Sequence, residues 1–170
     1  TGAQAFRVTG YYEYLPMDLE TDIGQRAKTG AYSTASQLLR MSEGVLSALA
    51  YLKSFKMIHS DVRPKYISVP TEDPQGQYKL LDRLGDALAP NKVQVSNFKK
   101  SRPLYVSPAF FEAISNSKTK IRHNPYKSDA FSFGLVLLEA GTLKSVQGIY
   151  NKQKCMLNTA ELVKLQTEFT

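Results

Sequence analysis

The chain has 170 residues, of which 42% are hydrophobic, 22% charged and 11% aromatic. This composition is typical of one globular domain and excludes collagen-like, coiled-coil and fully disordered chains. The formal net charge is +7, but the basic residues are scattered along the chain. Scattered charges favour a solvated surface over a nucleic-acid interface.

One cysteine, Cys155, excludes an internal disulfide and is typical of a reducing, intracellular compartment. Two histidines, His59 and His123, are too few and too far apart to suggest a zinc site.

No apolar run approaches the roughly 20 residues that a membrane helix needs, so no membrane partner is expected. No signal peptide is recognisable, and the start at Thr1 indicates a processed chain or part of a longer one.

The first predicted element is a strand over Phe6–Tyr14, where aromatic and β-branched residues cluster. A polar stretch without an assigned element follows to Tyr32. The clearest helix is predicted over Ala35–Ser54, because Thr34 and Gln37 fit a capping box. Apolar residues then recur every three or four positions, which predicts one buried face and a central packing role.

Short strand patterns at Ile67–Val69 and Tyr78–Leu81 flank a turn at Asp73–Gly76 that contains Pro and Gly. They predict a small hairpin directly after the long helix. Leu84–Lys100 has the composition of a loop. A short helix is predicted over Pro108–Ile114, since Pro is favoured at the first helical position.

A second long helix is predicted over Asp129–Ala140, capped by Ser128 and ended by Gly141. It is apolar on nearly every side, which predicts burial all round. Asn158 is expected to cap a final helix. The whole pattern indicates a mainly α (α+β) fold, with strands at one edge.

Four segments resemble, in the same order, the sequence motifs of protein kinases. His59–Tyr66 resembles the catalytic loop H-R-D-L-K-P-x-N, and Lys79–Gly85 resembles the segment that ends in D-F-G. Tyr105–Ala109 resembles the A-P-E region, and Asp129–Gly134 resembles the D-x-W-S-x-G start of the buried helix F. Any one match would be weak, whereas four in the right order and spacing favour the kinase-like fold.

The resemblance covers residues 1–170 as one partial kinase domain, from the hinge near Glu13–Leu15 to about helix G. It implies a C-lobe with Ala35–Ser54 as the long central helix E, a small hairpin and the buried helix F. The Gly-rich loop, the ion-paired Lys and the helix C Glu of the N-lobe are absent from this chain. They are expected either in an unseen part of a longer protein or nowhere.

The resemblance assigns Asp61 to the catalytic carboxylate, either as a substrate-orienting base or as a retained network residue. Its neighbours favour the second role. Arg63 stands where the family has Lys, and its planar fork makes the exchange non-neutral. Tyr66 stands where the family has the magnesium-binding Asn, and a phenol is a poor ligand for Mg²⁺. The catalytic loop is therefore degenerate.

Asp82 matches the metal-binding Asp of D-F-G, but Arg83 and Leu84 replace the Phe and Gly that follow it. We therefore expect only a vestigial metal ligand there. Arg102 stands where Ser/Thr kinases have a Thr that contacts the catalytic Asp. An ion pair between Arg102 and Asp61 that occupies the substrate channel is a further hypothesis.

Three other departures concern nucleotide binding and switching. Ser68 lies where the family packs an apolar residue under the adenine ring, and it either weakens that contact or is simply tolerated. Ala109 replaces a Glu that ties the activation segment to a later Arg, and Ser60 replaces the phosphate-reading Arg. Together they imply that switching by phosphorylation is lost, and no nucleotide-binding residue is assigned.

The architectural positions of the motifs are retained, namely His59, Pro108, Asp129 and Gly134. Asp129 is expected to anchor the backbone of the catalytic loop from helix F, as the resemblance implies. His59 is expected to be a hydrogen-bonded core residue. The sequence thus keeps what holds the lobe together and loses what handles Mg·ATP.

The resulting hypothesis is a pseudokinase that serves as a scaffold or interaction module in a larger assembly, without a cofactor. A protein partner is expected to cover the hinge-side surface around Tyr11, Tyr12 and Tyr14, because exposed apolar patches rarely persist alone. The expected location is intracellular and cytoplasmic. Likeness to kinases of ciliated single-celled eukaryotes suggests a cytoskeletal or ciliary complex.

The alternative is a divergent but active Ser/Thr kinase, seen only in part. It would transfer the γ-phosphate of Mg·ATP to protein hydroxyls, with Asp61 and Asp82 as its acid pair. A basic nucleic-acid-binding domain is disfavoured, because no basic stripe interleaved with aromatic residues is present.

Overall fold

The computed structural model describes residues 13–73, 75–81, 103–118, 121, 123–151 and 153–169. This part of the chain is mainly helical with two small antiparallel sheets, which confirms the predicted mainly α character. The predicted strand over Phe6–Tyr14 lies outside it except for its last two residues, and these are not in a strand. The predicted loop Leu84–Lys100 lies outside it altogether.

The described residues form five α-helices, and these are α1 (Leu19–Thr29), α2 (Ala35–Ser54), α3 (Pro108–Ser115), α4 (Pro125–Thr142) and α5 (Thr159–Phe169). Two antiparallel pairs join β1 (Ile67–Ser68) to β2 (Lys79–Leu80) and β3 (Tyr150–Asn151) to β4 (Met156–Leu157). Short 3₁₀ turns lie at Pro64–Tyr66 and Val146–Ile149. The hairpin β1–β2, the short helix α3 and the final helix α5 were all predicted.

Helix α1 was missed, since the sequence analysis left this stretch without an element. Its ends have clear local causes: the Asp18 side chain accepts the Thr21 N–H at 2.8 Å, and Gly30 ends the helix with φ 68°. Leu19 and Ile23 are its only buried apolar residues. Two apolar residues give too weak a periodicity to reveal a helix.

Helix α2 has the predicted bounds. The Gln37 N–H donates to the Thr34 hydroxyl at 3.2 Å, and the Thr34 N–H donates to Gln37 Oε1 at 2.9 Å, which is the expected capping box. Met41 and Val45 are fully buried against the rest of the core. A β-carbon placed on Gly44 would lie 2.3 Å from the carbonyl oxygen of Tyr78. The glycine therefore lets α2 approach the hairpin closely.

Helix α4 begins four residues before the predicted start, so the prediction of Ser128 as its cap was wrong. Asn124 is the cap, and its side chain accepts the Lys127 N–H at 3.2 Å, with Pro125 as the first helical residue. The Asn-Pro pair is a stronger start signal than a Ser, and the Ser128 hydroxyl is engaged in other bonds. The helix therefore starts after Asn124, whose side-chain oxygen is available to accept a hydrogen bond from a backbone N–H of the first turn.

The end of α4 also differs from the prediction. Gly141 remains helical, and Leu143 ends the helix in the left-handed conformation at φ 55°. The Phe169 ring of α5 lies only 2.3 Å from the place a Gly141 β-carbon would take, so this glycine serves helix packing. From Phe131 to Thr142 every residue is buried or half-buried, whereas Ala130 is exposed, so the helix is largely but not completely enclosed as predicted.

Replacing Gly44 with Ala is expected to destabilise the fold, because its new methyl group meets backbone rather than a movable side chain. We expect a loss of about 1–3 kcal/mol in the free energy of unfolding, measured by urea denaturation. Gly24→Ala in α1 is the matched control, since its β-carbon would meet nothing within 4 Å. It should gain up to about 1 kcal/mol from helix propensity. Equal stability of the two variants would contradict the close approach.

Candidate functional site

The carboxylate of Asp129 holds the turn at the start of the catalytic-loop motif. Asp129 projects from α4, is 5% exposed, and accepts the N–H of His59 at 2.9 Å and of Ser60 at 2.8 Å. Ser60 lies in the left-handed region at φ 62°, which is unfavourable for a side chain other than glycine. Two charge-assisted hydrogen bonds stabilise this conformation.

His59 ties the same turn to the hairpin. Its Nε2 lies 2.8 Å from the carbonyl oxygen of Leu81, and its Nδ1 accepts the N–H of Asp61 at 3.4 Å. The Leu81 N–H in turn donates to the carbonyl oxygen of Tyr66 at 2.8 Å. Both ring nitrogens of His59 therefore contact backbone groups, and the ring positions the loop.

Asp61, Arg63 and Tyr66 form one polar cluster, called the loop cluster below. The Arg63 Nε lies 3.5 Å from Asp61 Oδ2, and the Arg63 Nη2 donates to the Tyr66 hydroxyl at 3.1 Å. The guanidinium carbon of Arg63 lies 4.7 Å from the centroid of the Tyr66 ring. The side chains of Asp61 and Arg63 are only 8% and 14% exposed, so their opposite charges attract in a weakly screened setting.

The loop cluster is a poor place for a magnesium ion. Mg²⁺ requires several oxygen ligands in tight octahedral geometry. The Tyr66 hydroxyl instead accepts a hydrogen bond from the guanidinium of Arg63, whose positive charge would repel the ion. In the part of the chain that the structure describes, no three Asp, Glu, His or Cys side chains are grouped to hold a metal. Asp82 and Arg83 lie outside the described residues. Among the described residues of the loop cluster, Tyr66 thus offers Mg²⁺ only a phenol oxygen that already accepts a hydrogen bond from Arg63.

The backbone between Leu104 and Ser107, called the 104–107 segment below, is held by side chains from after α4. The Leu104 N–H donates to Gln147 Oε1 at 2.8 Å, and Gln147 Nε2 donates to the Leu104 carbonyl at 3.0 Å. The Tyr150 hydroxyl accepts the Val106 N–H at 2.8 Å and donates to the Val106 carbonyl at 3.0 Å. All four residues of the segment are buried.

Tyr105, in the middle of this segment, contacts the carboxylate of the half-buried Glu139. Its hydroxyl donates to Glu139 on α4 at 2.5 Å. Burial raises the pKa of Glu139 above its ordinary value, and the bonds from Tyr105 and from the Val146 N–H offset this only in part. Sequence reasoning missed Glu139, Gln147 and Tyr150, because they lie 34 to 44 positions from their partners without a local pattern.

Beside the segment lies a small, open surface pocket whose lining includes three linked side chains. The Ser107 hydroxyl lies 2.9 Å from the Ser128 hydroxyl, which lies 2.7 Å from His123 Nδ1. Burial lowers the pKa of His123, and the nearby Asp129 partly opposes that shift. Because the Ser107 hydroxyl contacts Ser128, it makes no capping bond at the start of α3.

The remaining residues that the sequence analysis named do not belong to the loop cluster. Pro108 is the first residue of α3, and a β-carbon on Gly134 of α4 would meet nothing within 4 Å. Ser68 is buried in β1, and Ala109 is half-buried in α3. Arg102 lies outside the described residues, so the hypothesised pair with Asp61 does too.

Comparisons of the sequence with known proteins identify the family. The sequence model of a family described as protein tyrosine and serine/threonine kinase matches residues 12–166. The chain therefore belongs to the protein kinase family. No helix among the described residues combines the length and apolarity needed to span a membrane.

Three similar relatives come from Arabidopsis thaliana. Leaf rust 10 disease-resistance locus receptor-like protein kinase-like 1.1 is 29% identical over 94% of this chain, which covers 24% of that protein. Mitogen-activated protein kinase kinase 7 is 26% identical over 62% of the chain and 32% of its own length. U-box domain-containing protein 32 is 28% identical over 86% of the chain and 16% of its own length. The chain thus spans less than a third of each relative.

Replacing Asp129 with Ala is expected to destabilise the fold by about 3 kcal/mol, because two buried backbone N–H groups lose their acceptor. Urea denaturation measures the change. Glu43→Ala on the exposed face of α2 is the control, and it should stay within about 0.5 kcal/mol of the parent. A loss for Asp129→Ala no larger than for this control would contradict the anchoring role.

Glu139→Gln is expected to change how stability depends on pH. Because the pKa of Glu139 is raised in the folded state, the folded protein holds this proton more tightly than the unfolded chain does. The parent should therefore lose stability as pH rises from the ordinary Glu range through the raised folded pKa, and then level off. Glu139→Gln should lack this loss. The free energy of unfolding of the variant should therefore rise relative to that of the parent across that pH window. Denaturation at a series of pH values tests this, and parallel curves would contradict it.

Proposed function

We propose that this chain is a kinase-fold interaction module that is impaired in phosphoryl transfer. The observation that carries the proposal is the position of Arg63, between the carboxylate of Asp61 and the hydroxyl of Tyr66. Phosphoryl transfer depends on positioning and on neutralising charge. In this loop the available charge is already neutralised within the protein itself.

Each part of the reaction meets an obstacle at the loop cluster. The carboxylate that would orient a substrate hydroxyl, Asp61, faces the guanidinium of Arg63 at 3.5 Å. The position that would supply an amide oxygen to Mg²⁺ holds Tyr66, whose hydroxyl accepts a bond from Arg63. A rotation of Tyr66 away from the cluster would break both this bond and the contact of the guanidinium with the ring. Retained architecture combined with this arrangement supports binding over catalysis.

The proposed role is a scaffold that binds a protein on its hinge side, inside the cell, without nucleic acid, a membrane or a cofactor. Tyr14, at that side, is 85% exposed. Beside it, Lys79 Nζ lies 2.7 Å from both carboxylate oxygens of Glu13, which adds a polar rim. An aromatic residue next to a polar rim is typical of protein interfaces. A cytoskeletal or ciliary assembly stays a prediction about the setting.

A second candidate is a divergent active Ser/Thr kinase. The retained and buried Asp61 favours it, since a carboxylate at that position is what substrate orientation requires. Two of the named relatives are called protein kinases. In that case Mg·ATP would be the cofactor, and Arg63 would have to leave Asp61 during the reaction.

The two candidates are separated by assays on the longest natural protein that contains this chain. We expect no Mg²⁺-dependent shift in melting temperature with ATP and no transfer of phosphate to a generic protein substrate. The double variant Arg63→Lys, Tyr66→Asn restores the family's residues and should tighten Mg²⁺-dependent nucleotide binding by roughly tenfold or more. Tyr51→Asn, at an exposed tyrosine of α2, is the matched control and should bind as the parent does. The proposal would be overturned if the parent transferred phosphate and the Asp61→Asn variant did not.

A further inference from the structure

Among the residues that the structure describes, no strand lies beside the 104–107 segment. Leu104 and Val106 are two positions apart, so their backbone groups lie on the same edge of an extended chain. On that edge the amide of Gln147 and the hydroxyl of Tyr150 each bond to both the N–H and the carbonyl of one residue. Two side chains thus make the four bonds that a paired strand would make.

The partners of the segment are themselves fixed. Gln147 lies in the turn Val146–Ile149, which begins at Ser145 directly after α4. Tyr150 is 6% exposed, lies opposite Leu157 in the β3–β4 pair, and packs its ring 4.9 Å from that of Phe111. Both side chains therefore come from the turn and strand that follow α4, where Val146, Ile149 and Tyr150 are buried.

The burial of the segment makes these bonds consequential. Leu104, Tyr105 and Val106 are at most 9% exposed, so water cannot replace a lost partner. A buried backbone group without a partner costs about 1–3 kcal/mol. Loss of either side chain would leave both an N–H and a carbonyl without a partner, and the segment would open locally.

The kinase resemblance implies an ion pair that holds this segment and an Arg that binds a phosphate on the activation loop. The residues at the two matching positions can do neither. Ala109 cannot form an ion pair, and Ser60 cannot read a phosphate, since neither carries a charge. We infer that Gln147 and Tyr150 are positioning residues that form a latch, which fixes the 104–107 segment in one conformation independently of phosphorylation. The latch goes beyond the proposed function, because an active enzyme could also carry it.

Hydrogen–deuterium exchange of the longest natural protein tests the latch at the amides of Leu104 and Val106. Tyr150→Phe should speed exchange at Val106 by about tenfold, and Gln147→Met should do the same at Leu104. Tyr32→Phe and Gln25→Met, at exposed positions of the same residue types, are matched controls and should leave both amides slow. Phosphatase treatment of the parent should leave both rates unchanged.

Three results would overturn the inference. The first is unchanged exchange at both amides in both variants. The second is an equal acceleration at Val45, deep in α2, because that would mean loss of the whole fold rather than of a local latch. The third is protection in the parent that disappears on phosphatase treatment. A parent that transfers phosphate while these rates behave as expected would overturn the proposed function and leave the latch intact.

Discussion

The rest of the site depends on two hydrogen bonds, which the carboxylate of Asp129 accepts from the backbone N–H groups of His59 and Ser60. Asp129 lies on α4, which is buried or half-buried at every residue from Phe131 to Thr142 and is therefore held firmly in the fold. From that fixed position the carboxylate stabilises a left-handed serine and sets the direction in which the chain continues. The places of Asp61, Arg63 and Tyr66 follow from it.

Within this fixed loop the balance of charge decides what the site can do. A guanidinium between a carboxylate and a phenol satisfies both through contacts inside the protein, and it opposes the approach of a second cation. At the 104–107 segment the internal contacts are neutral instead, since an amide and a hydroxyl hold the backbone. The described part of the chain thus combines membership of the protein kinase family with a loop in which Arg63 contacts both Asp61 and Tyr66.

Local signals in the sequence were sufficient wherever the cause of structure was local. The capping box predicted the start of α2, the recurring apolar residues predicted its length, and the apolar run predicted a largely buried α4. Helix α1 was missed because a helix with two buried apolar residues has almost no periodicity, and α4 was started late because Ser128 was read as a cap. In the site, Asp61, Arg63 and Tyr66 were found because they lie in one motif. Gln147 and Tyr150 were not, since contacts across more than forty positions leave no trace in a single sequence.

The central claim is that Arg63 and Tyr66 stay paired and keep magnesium from the catalytic loop. The most direct measurement is a crystal structure of the longest natural protein, grown with Mg²⁺ and a non-hydrolysable ATP analogue. The account predicts that Arg63 Nη2 still donates to the Tyr66 hydroxyl, near the present 3.1 Å, with no ion at residue 66. Two octahedral magnesium ions on the nucleotide phosphates, with Tyr66 turned out and Asp61 released from Arg63, would contradict it.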